Sequence, residues 1–338
     1  MRILDPNIHS DIANNLSRMF RKRIVGQEGP KQALINIVER HQAGMGDPDL
    51  PAGNALFLGP TGTGKTHLVE VLCEALFGNP HACLKVDCAE YQHGHEISKL
   101  TGSPPGYLGH RETDPMLCQK TLDQYHTDKV KLSIILFDEV EKSSDTLWNL
   151  LLGILDKAKS TTGDNQIVSY NNTVVVMTSN IGSKGMSDLT SGGMGFSSQS
   201  ITDAILDSKV DDAAKQAAKV KFSPEFFNRL EYIEVFHNLT EKQIEEILSI
   251  ELGLLQSKFM RSTTPFFIHV QNSARALLLK EGYDKKYGAR FLKRAISRRI
   301  VNPLAGMMAS KQINAKDVVV IKALDEGGLQ YSVSEREL

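Results

Sequence analysis

One stretch of eight residues has the composition and spacing of a phosphate-binding site: Gly59-Pro60-Thr61-Gly62-Thr63-Gly64-Lys65-Thr66. Glycines allow successive backbone N–H groups to curve around a phosphate without a Cβ in the way, and the N-terminus of a following helix adds partial positive charge. In such a loop Lys65 would reach the β- and γ-phosphates, and the hydroxyl of Thr66 would complete the coordination shell of Mg²⁺. The alternative is a structural turn, but an apolar run before the loop and helical spacing after it favour a nucleoside triphosphate site.

A second pair of candidate residues follows another apolar run. Residues Leu132 to Phe137 are almost all apolar, as expected for a strand buried on both faces of a parallel sheet, and they lead into Asp138 and Glu139. Two acids at the end of a buried strand are costly unless a cation and a polar cleft compensate them. Beside a phosphate-binding loop, we expect Asp138 to hold Mg²⁺ through water and Glu139 to polarise the attacking water. A solvated strand end is the alternative interpretation.

The elements that would position these residues follow from hydrophobic periodicity. The predicted strands lie at 55–58, 82–88, 132–137 and 173–177. Helical patterns separate them, and Asp145 is predicted to cap one of these helices. Strands that alternate with helices, with polar residues at the strand ends, predict an α/β fold with a doubly wound parallel sheet and a site along its C-terminal edge.

The pattern changes after residue 239. Thr240 and Gln243 have the spacing of a capping box and open a mainly helical region. The predicted helices and strands lie at 240–258, 273–281, 289–309, 318–321 and 329–333. We therefore predict a large nucleotide-binding domain at 1–239 and a smaller C-terminal α+β domain at 240–338.

Composition limits the classes of protein to consider. The net charge of the 338 residues is −1, which disfavours attraction to nucleic acid or to a membrane surface, and no run of 18 apolar residues predicts a membrane span. The four cysteines have no disulfide-framework spacing, so we expect a cytoplasmic protein. Zinc is also considered for the nearby histidines and cysteines at 81–95, but their spacing matches no common zinc site.

Several motifs, taken together and in order, resemble one AAA+ module of the Clp ATPase family, specifically the second nucleotide-binding domain of ClpB, ClpA and ClpC. Besides the phosphate-binding loop, the motifs are I-V-G-Q at 24–27, P-P-G-Y-L-G at 104–109, I-L-F-D-E-V-E-K at 135–142, T-S-N at 178–180, F-S-P-E-F-F-N-R at 222–229 and Y-G-A-R at 287–290. The resemblance implies an AAA+ P-loop NTPase fold with a C-terminal lid domain, and ATP with Mg²⁺ as the ligand.

The resemblance also assigns roles that the spacing alone does not. It implies that Val25 lines the adenine pocket and that Asn180 orients the attacking water. Arg229 is similar to an arginine finger that reaches the γ-phosphate of a neighbouring subunit, and Arg290 to a second sensor in the small domain. An arginine finger supplied by a neighbour implies a ring, and a homo-hexamer is expected. Each residue would place a donor or a cation where negative charge develops during phosphoryl transfer.

Three loops bear on partners. Tyr107 and Leu108 resemble the pore-loop residues with which Clp unfoldases grip a polypeptide, and an aromatic ring contacts many side chains without demanding a sequence. Residues 163–172 would form a second pore loop, although N-Q-I-V-S-Y at 165–170 departs from the family pattern. Met194-Gly195-Phe196 resembles the tripeptide that docks a ClpP-type peptidase, and a flexible loop with one aromatic residue is the alternative.

The resemblance thus implies an ATPase that unfolds and threads polypeptide substrates through a ring. Two other functions stay open: an AAA+ assembly switch that remodels a dedicated partner without threading, and a regulatory subunit of a ClpP-type peptidase. A nucleic-acid loader is a third reading because cations cluster at 290–299, but no aromatic residues are interleaved with them in the way that nucleic-acid binding favours. The sequence leaves undecided whether the chain is full-length or an excised domain.

Overall fold

The computed structural model describes residues 5, 8–103, 115–183, 185–186, 203–284, 288–325 and 327–334, with the backbone only at 203–206. The chain folds into two compact units. The first is Met1–Pro60 with Gly64–His237, and the second is Thr61–Thr63 with Asn238–Leu338. Tyr107, Leu108 and Met194-Gly195-Phe196 lie outside the described residues, so the roles predicted for them stay predictions.

A parallel five-stranded sheet forms the centre of the first unit. The strands of this unit are β1 (Gly53–Leu58), β2 (Leu84–Asp87), β3 (Ser133–Asp138), β4 (Lys159–Thr161), β5 (Ile167–Ser169), β6 (Thr173–Ser179) and β7 (Tyr232–Val235). The strand order in the sheet is β2-β3-β6-β1-β7, and every pairing in it is parallel. β4 and β5 form a separate antiparallel hairpin.

Helices cover both faces of this sheet. The helices of the first unit are α1 (Asp11–Arg23), α2 (Glu28–Gln42), α3 (Lys65–Phe77), α4 (Ser98–Thr101), α5 (Gln119–Asp123), α6 (Asp145–Lys157), α7 (Asp203–Lys221) and α8 (Pro224–Phe227). Successive residues of β1 enter different cores: Ala55 and Phe57 pack with α1, α2 and α3, whereas Leu56 and Leu58 pack with α6 and α7. Burial on both faces explains why β1 and β3 have almost continuous apolar sequences, and it confirms the predicted doubly wound fold.

The second unit is smaller and combines helices with a three-stranded sheet. Its elements are α9 (Glu241–Phe259), β8 (Phe267–Val270), α10 (Asn272–Gly282), α11 (Leu292–Ile296), α12 (Asn302–Ala309), β9 (Val318–Ala323) and β10 (Leu329–Ser334). The strand order is β10-β9-β8, with β8 parallel and β10 antiparallel to β9. The predicted capping box is confirmed, because the Thr240 hydroxyl accepts from Gln243 N and the Gln243 side chain accepts from Thr240 N.

Several predicted elements differ from the structure. The N-cap of α6 is Ser144 rather than Asp145, which is the first helical residue and places its charge at the positive end of the helix dipole. The helix predicted at 289–309 is interrupted by a π-turn at Ser297–Val301 before α12. Proline near the start of α12 has no N–H to donate, so the hydrogen-bonding pattern has to change there.

Three cations of the cluster at 290–299, namely Lys293, Arg298 and Arg299, pair with carboxylates of the second unit. Glu281 accepts hydrogen bonds from Arg298 at 2.6 Å and from Arg299, and these contacts lower the pKa of Glu281 to about 2. Lys293 lies 3.2 Å from Glu251. Among the described residues, no helix has both the length and the apolar composition needed to span a bilayer.

Candidate functional site

The predicted phosphate-binding loop joins the end of β1 to the start of α3. Gly59 has a φ of 138°, and a Cβ there would lie only 2.4 Å from the carbonyl oxygen of Phe236. Gly64, which precedes the first helical residue, has a φ of 103°. Both positions need glycine because a side chain would be strained or would clash. The loop therefore turns sharply into α3. The first backbone amides of this helix, which begins at Lys65, form an intrinsic anion site.

Lys65 is buried, with 7% of its surface exposed. Its ammonium group donates to the carbonyl oxygens of Gly59 at 2.6 Å and Pro60 at 2.9 Å, and to Asn180 Oδ1 at 3.0 Å. Burial lowers the pKa of Lys65 to about 8, although the negative charges of nearby carboxylates oppose this shift. A bound polyphosphate would favour the charged form further, so this lysine is suited to respond to an anion.

Asp138 ends β3 and is held by three side-chain donors. Its Oδ1 accepts from the Thr178 hydroxyl at 2.5 Å and from the Thr66 hydroxyl at 3.3 Å, and Lys85 Nζ lies 2.9 Å from its Oδ2. Burial alone raises the pKa of Asp138, but the hydrogen bonds from Thr178 and Lys85 outweigh it, and the pKa lies below its ordinary value. Asp138 is therefore a carboxylate at neutral pH.

The donor set fits the predicted Mg²⁺. Thr66 and Asp138 offer a hydroxyl and a carboxylate oxygen next to each other, and Mg²⁺ prefers hard oxygen ligands of this kind. Among the described residues, no cluster of three or more histidine, cysteine or acidic side chains forms a metal cage. Mg²⁺ commonly binds through one or two protein ligands together with substrate phosphates and water, and Thr66 and Asp138 would supply two.

Glu139 follows Asp138 with a φ of 57°, in the left-handed region, which turns its side chain out of the strand direction. Its backbone N–H donates to the Thr178 hydroxyl at 3.0 Å. One carboxylate oxygen accepts from Asn180 Nδ2 at 3.0 Å, and the other pairs with Lys142. Asn180 therefore contacts both Lys65 and Glu139 through opposite ends of one amide group.

The segment predicted to line the adenine pocket lies between α1 and α2. Val25 is half-buried there, and Gln27 is buried with a φ of 61°. The Gln27 amide donates to His237 O at 2.9 Å and accepts from His237 N at 3.0 Å. This pair of bonds fixes the segment against the residue at which the first unit ends.

The two arginines predicted for the site, Arg229 and Arg290, belong to different units of the chain. Arg229 follows α8, and its guanidinium binds Asp156 at 3.0 Å and Glu225 at 3.2 Å. Arg290 is exposed in a 3-10 turn of the second unit. The structure thus brings together Lys65, Thr66, Asp138, Glu139 and Asn180, and it places Arg229 in a separate cluster of its own chain.

Four contributing residues were missed by the sequence analysis: Lys85, Glu141, Lys142 and Thr178. Thr178 had a signal, since it stands in the T-S-N motif. Its bond to Asp138 joins the neighbouring strands β6 and β3, and the motif does not reveal this pairing. Lys85 precedes Asp87 by two residues, and Asp87 is in register with Asp138 on the neighbouring strand. Glu141 accepts from Asn180 N at 3.0 Å, and its other oxygen is buried with no hydrogen-bond partner among the described residues.

Family comparisons agree with this arrangement. Residues 50–233 match the family described as AAA domain (Cdc48 subfamily), and residues 239–321 match the C-terminal, D2-small domain, of ClpB protein. The ATP-dependent Clp protease ATP-binding subunit ClpC of Staphylococcus epidermidis is 36% identical over 333 residues, which are 97% of this chain and 38% of the relative. ClpC of Staphylococcus aureus is 35% identical over 95% of this chain and 38% of its own length.

Solved structures are similar over the same extent. A closed-state reconstruction of Hsp104 with ATPγS and FITC casein has a TM-score of 0.76 and 30% identity, covering 97% of this chain and 53% of that one. The Saccharomyces cerevisiae Hsp104–casein complex in its extended conformation has a TM-score of 0.78 and 30% identity, covering 96% of this chain and 53% of that one. This chain therefore spans 38% of the length of the curated relatives that it matches. With more than half of its residues in the first family match, the chain belongs to the nucleotide-binding AAA ATPases, and it is a Clp-type AAA+ module that resembles the second nucleotide-binding domain.

Proposed function

We propose that this chain binds ATP with Mg²⁺ and hydrolyses it to ADP and phosphate. The observation that best supports this is the position of Asn180, which accepts from Lys65 at 3.0 Å and donates to Glu139 at 3.0 Å. One short side chain thus connects the phosphate-binding lysine to the acid expected to activate water. Such a connection has a clear use in phosphoryl transfer, where catalysis is mainly a matter of positioning and of stabilising negative charge.

Each residue of the site has a role in this proposal. The loop from Gly59 to Thr66 holds the phosphates, Lys65 contacts the β- and γ-phosphates, and Thr66 and Asp138 hold Mg²⁺. When bound, Mg²⁺ would draw negative charge from the phosphate oxygens. Glu139 accepts a proton from a water molecule as the water oxygen bonds to the γ-phosphorus. The bond between that phosphorus and the oxygen bridging to the β-phosphate then breaks, and ADP leaves with the electron pair.

Three further residues receive their proposed roles from the family resemblance. Val25 would line the adenine pocket, Arg229 would reach the γ-phosphate of a neighbouring copy, and Arg290 would act as the second sensor. Arg229 pairs with Asp156 and Glu225 of its own chain, and its role in another subunit rests on the family resemblance. A homo-hexameric ring follows as the proposed assembly, with the two domains at 1–239 and 240–338.

The proposed use of ATP is the unfolding and threading of polypeptides. The support comes from the similarity to Hsp104, whose solved complexes contain casein, and to ClpC, which is named as a subunit of a Clp protease. Tyr107 and Leu108 would grip the polypeptide, and a ClpP-type peptidase would dock at Met194-Gly195-Phe196. A cytoplasmic location completes the proposal.

The test compares the wild-type chain with Tyr107→Ala, using ATP and casein, and records ATPase rate and unfolding of a tagged fluorescent protein. We expect casein to stimulate the wild-type ATPase, and Tyr107→Ala to lose unfolding while it still hydrolyses ATP. Glu139→Gln is the matched control, because it should bind ATP and lose both activities. If wild type and Tyr107→Ala behave alike and casein has no effect, the chain is an assembly switch for a dedicated partner instead.

A further inference from the structure

The described residues on either side of the segment at 104–114 lie next to each other in the first unit. Met116 N donates to Lys99 O at 3.2 Å, and Leu117 N donates to Leu100 O at 2.8 Å. Gly102 has a φ of 83°, and a Cβ there would lie 3.2 Å from Pro115 Cγ. The residues before and after the segment are therefore held side by side. We call residues 99–103 with 115–117 the neck.

The hairpin of β4 and β5 packs directly against this neck. Gly163, in the turn of the hairpin, donates its N–H to Thr101 O at 2.7 Å. A Cβ on Gly163 would lie 2.6 Å from the carbonyl oxygen of Gly102 and 2.7 Å from the carbonyl carbon of Ser103. Only a residue without a side chain permits this approach, since backbone atoms cannot move aside as a flexible side chain can. Gly163 is not among the residues with positive φ, so the need for glycine here is steric.

A second contact joins the hairpin to the chain beyond the neck. Ser169, the last residue of β5, donates its N–H to the Gln119 side chain at 3.0 Å. Gln119 begins α5, two residues after the neck. The hairpin is thus bonded to the chain on both sides of the segment at 104–114.

The hairpin is anchored by a buried aromatic ring and by hydrogen bonds at both of its ends. Tyr170 is completely buried, its hydroxyl is 2.8 Å from Ser160 Oγ, and its N–H donates to Ala158 O at 2.7 Å. The turn is closed by Thr162 N, which donates to Gln166 O at 2.9 Å. Tightly packed protein interiors have low compressibility and transmit strain. We therefore expect the strand pair, which is anchored by a buried aromatic residue, to move as a unit.

We propose that the β4–β5 hairpin is a clasp on the neck, and that Gly163 is the positioning residue through which the two are coupled. The role of the clasp in substrate handling depends on the proposed function, in which the segment at 104–114 carries the gripping residues. The hairpin holds the base of that segment in place, so a force on one of the two predicted pore loops is passed to the other. Gly163 stands at the start of the predicted second pore loop, and in this scheme it acts through its contact with the neck.

The test introduces a Cβ with Gly163→Ala. The matched control is Gly153→Ala on α6, where a Cβ would meet nothing within 4 Å. Hydrogen–deuterium exchange of peptides covering Met116 and Leu117 measures the neck directly, and casein-stimulated ATPase measures coupling. We expect about tenfold faster exchange at these amides in Gly163→Ala, corresponding to neck opening that is easier by ~1.4 kcal/mol. Stimulation of the ATPase by casein should be lost in Gly163→Ala and kept in Gly153→Ala.

The outcomes separate the clasp from the function that it serves. If the amides of Met116 and Leu117 exchange at the same rate in Gly163→Ala as in Gly153→Ala, the proposed clasp is overturned. Faster exchange with normal casein stimulation overturns its coupling role. If the wild-type chain does not respond to casein, the proposed function fails, and the exchange result alone decides the clasp. Should Gly163→Ala fail to fold, Gln119→Ala removes the acceptor of Ser169 N and is expected to speed the same exchange, with unchanged exchange counting against the clasp.

Discussion

Replacing Asn180 by alanine removes the side chain that links Lys65 to Glu139. The variant loses two hydrogen bonds of 3.0 Å, but its backbone N–H keeps the bond to Glu141. Lys65 retains two carbonyl acceptors in the phosphate-binding loop. One lost hydrogen bond of ~1 kcal/mol to the ammonium group corresponds to less than about tenfold in nucleotide affinity.

The expected effect on turnover is larger. Without the amide of Asn180, Lys142 is the one side chain among the described residues that is bonded to the Glu139 carboxylate, and it binds a single oxygen. Loss of one oriented donor in an active site costs about 10²–10³ in turnover, or ~2.7–4 kcal/mol. A third of the Glu139 side chain is exposed, and water can replace part of the lost bond, which favours the lower end, about 10²-fold.

Two assays separate these effects. Titration with a fluorescent ATP analogue measures affinity, and single-turnover hydrolysis at saturating ATP measures the chemical step. Asn180→Asp is the control, because it keeps an acceptor for Lys65 but places a carboxylate against Glu139, so binding should persist and turnover should fall at least as far as in Asn180→Ala. If Asn180→Ala hydrolyses ATP within about threefold of the wild-type rate, the proposed link between lysine and base is refuted.

Three further predictions concern the surroundings of the site. Gly59→Ala should lower the free energy of unfolding in urea by about 1–3 kcal/mol, because its Cβ would collide with Phe236 O; a loss below about 0.5 kcal/mol contradicts this. Arg229→Ala should keep its ATP affinity and lose most of its ATPase, and part of the ATPase should return when it is mixed with Glu139→Gln, whose intact Arg229 can act on the site of an Arg229→Ala neighbour; a mixture no more active than the two variants apart would exclude action between subunits. Lys85→Met should raise the pKa of Asp138, whose lowered value stabilises the fold above pH 3.8. The variant should therefore be less stable than wild type by up to ~1 kcal/mol at pH 7, and the difference should vanish as the pH falls below 3.8, as measured by urea unfolding at each pH.

Sequence patterns predict the parts of this fold that bury long apolar runs. β1, β3 and β6 are covered on both faces, so their residues must be apolar almost without interruption. Strands of this kind can be located from the sequence by their apolar runs. β4 and β5 have three residues each, which is too few to show an alternation of apolar and polar residues. Their hairpin is stabilised by the buried ring of Tyr170. β7 is an edge strand with partly exposed side chains, so its pattern is weak as well.

The candidate site also contains residues that the sequence predicts and residues that it does not. The loop residues and Asp138 could be predicted because backbone geometry and phosphate chemistry demand particular residue types at fixed spacing. Lys85 could not, because an isolated lysine is usually solvated and its sequence context does not reveal its partner. Glu141 and Lys142 stand in the motif at 135–142, but the motif does not reveal which side chains they contact. Register decides their role: Lys85 comes near Asp138 only because β2 lies next to β3 in the sheet order.

The charges around the site give a physical reason to expect a metal-dependent ligand. Among the described residues, the cluster contains three carboxylates, Asp138, Glu139 and Glu141, and three lysines, Lys65, Lys85 and Lys142. These charges already balance, so a triphosphate would bring uncompensated negative charge into a partly buried site.

Removal of Mg²⁺ with EDTA should therefore weaken binding of a fluorescent ATP analogue by at least about tenfold, or ~1.4 kcal/mol, while binding of the corresponding nucleoside, which carries no phosphate, should not change. Equal affinity for the triphosphate with and without Mg²⁺ would show that the lysines alone compensate the phosphates. In that case the donor pair of Thr66 and Asp138 would serve the structure of the site rather than a metal.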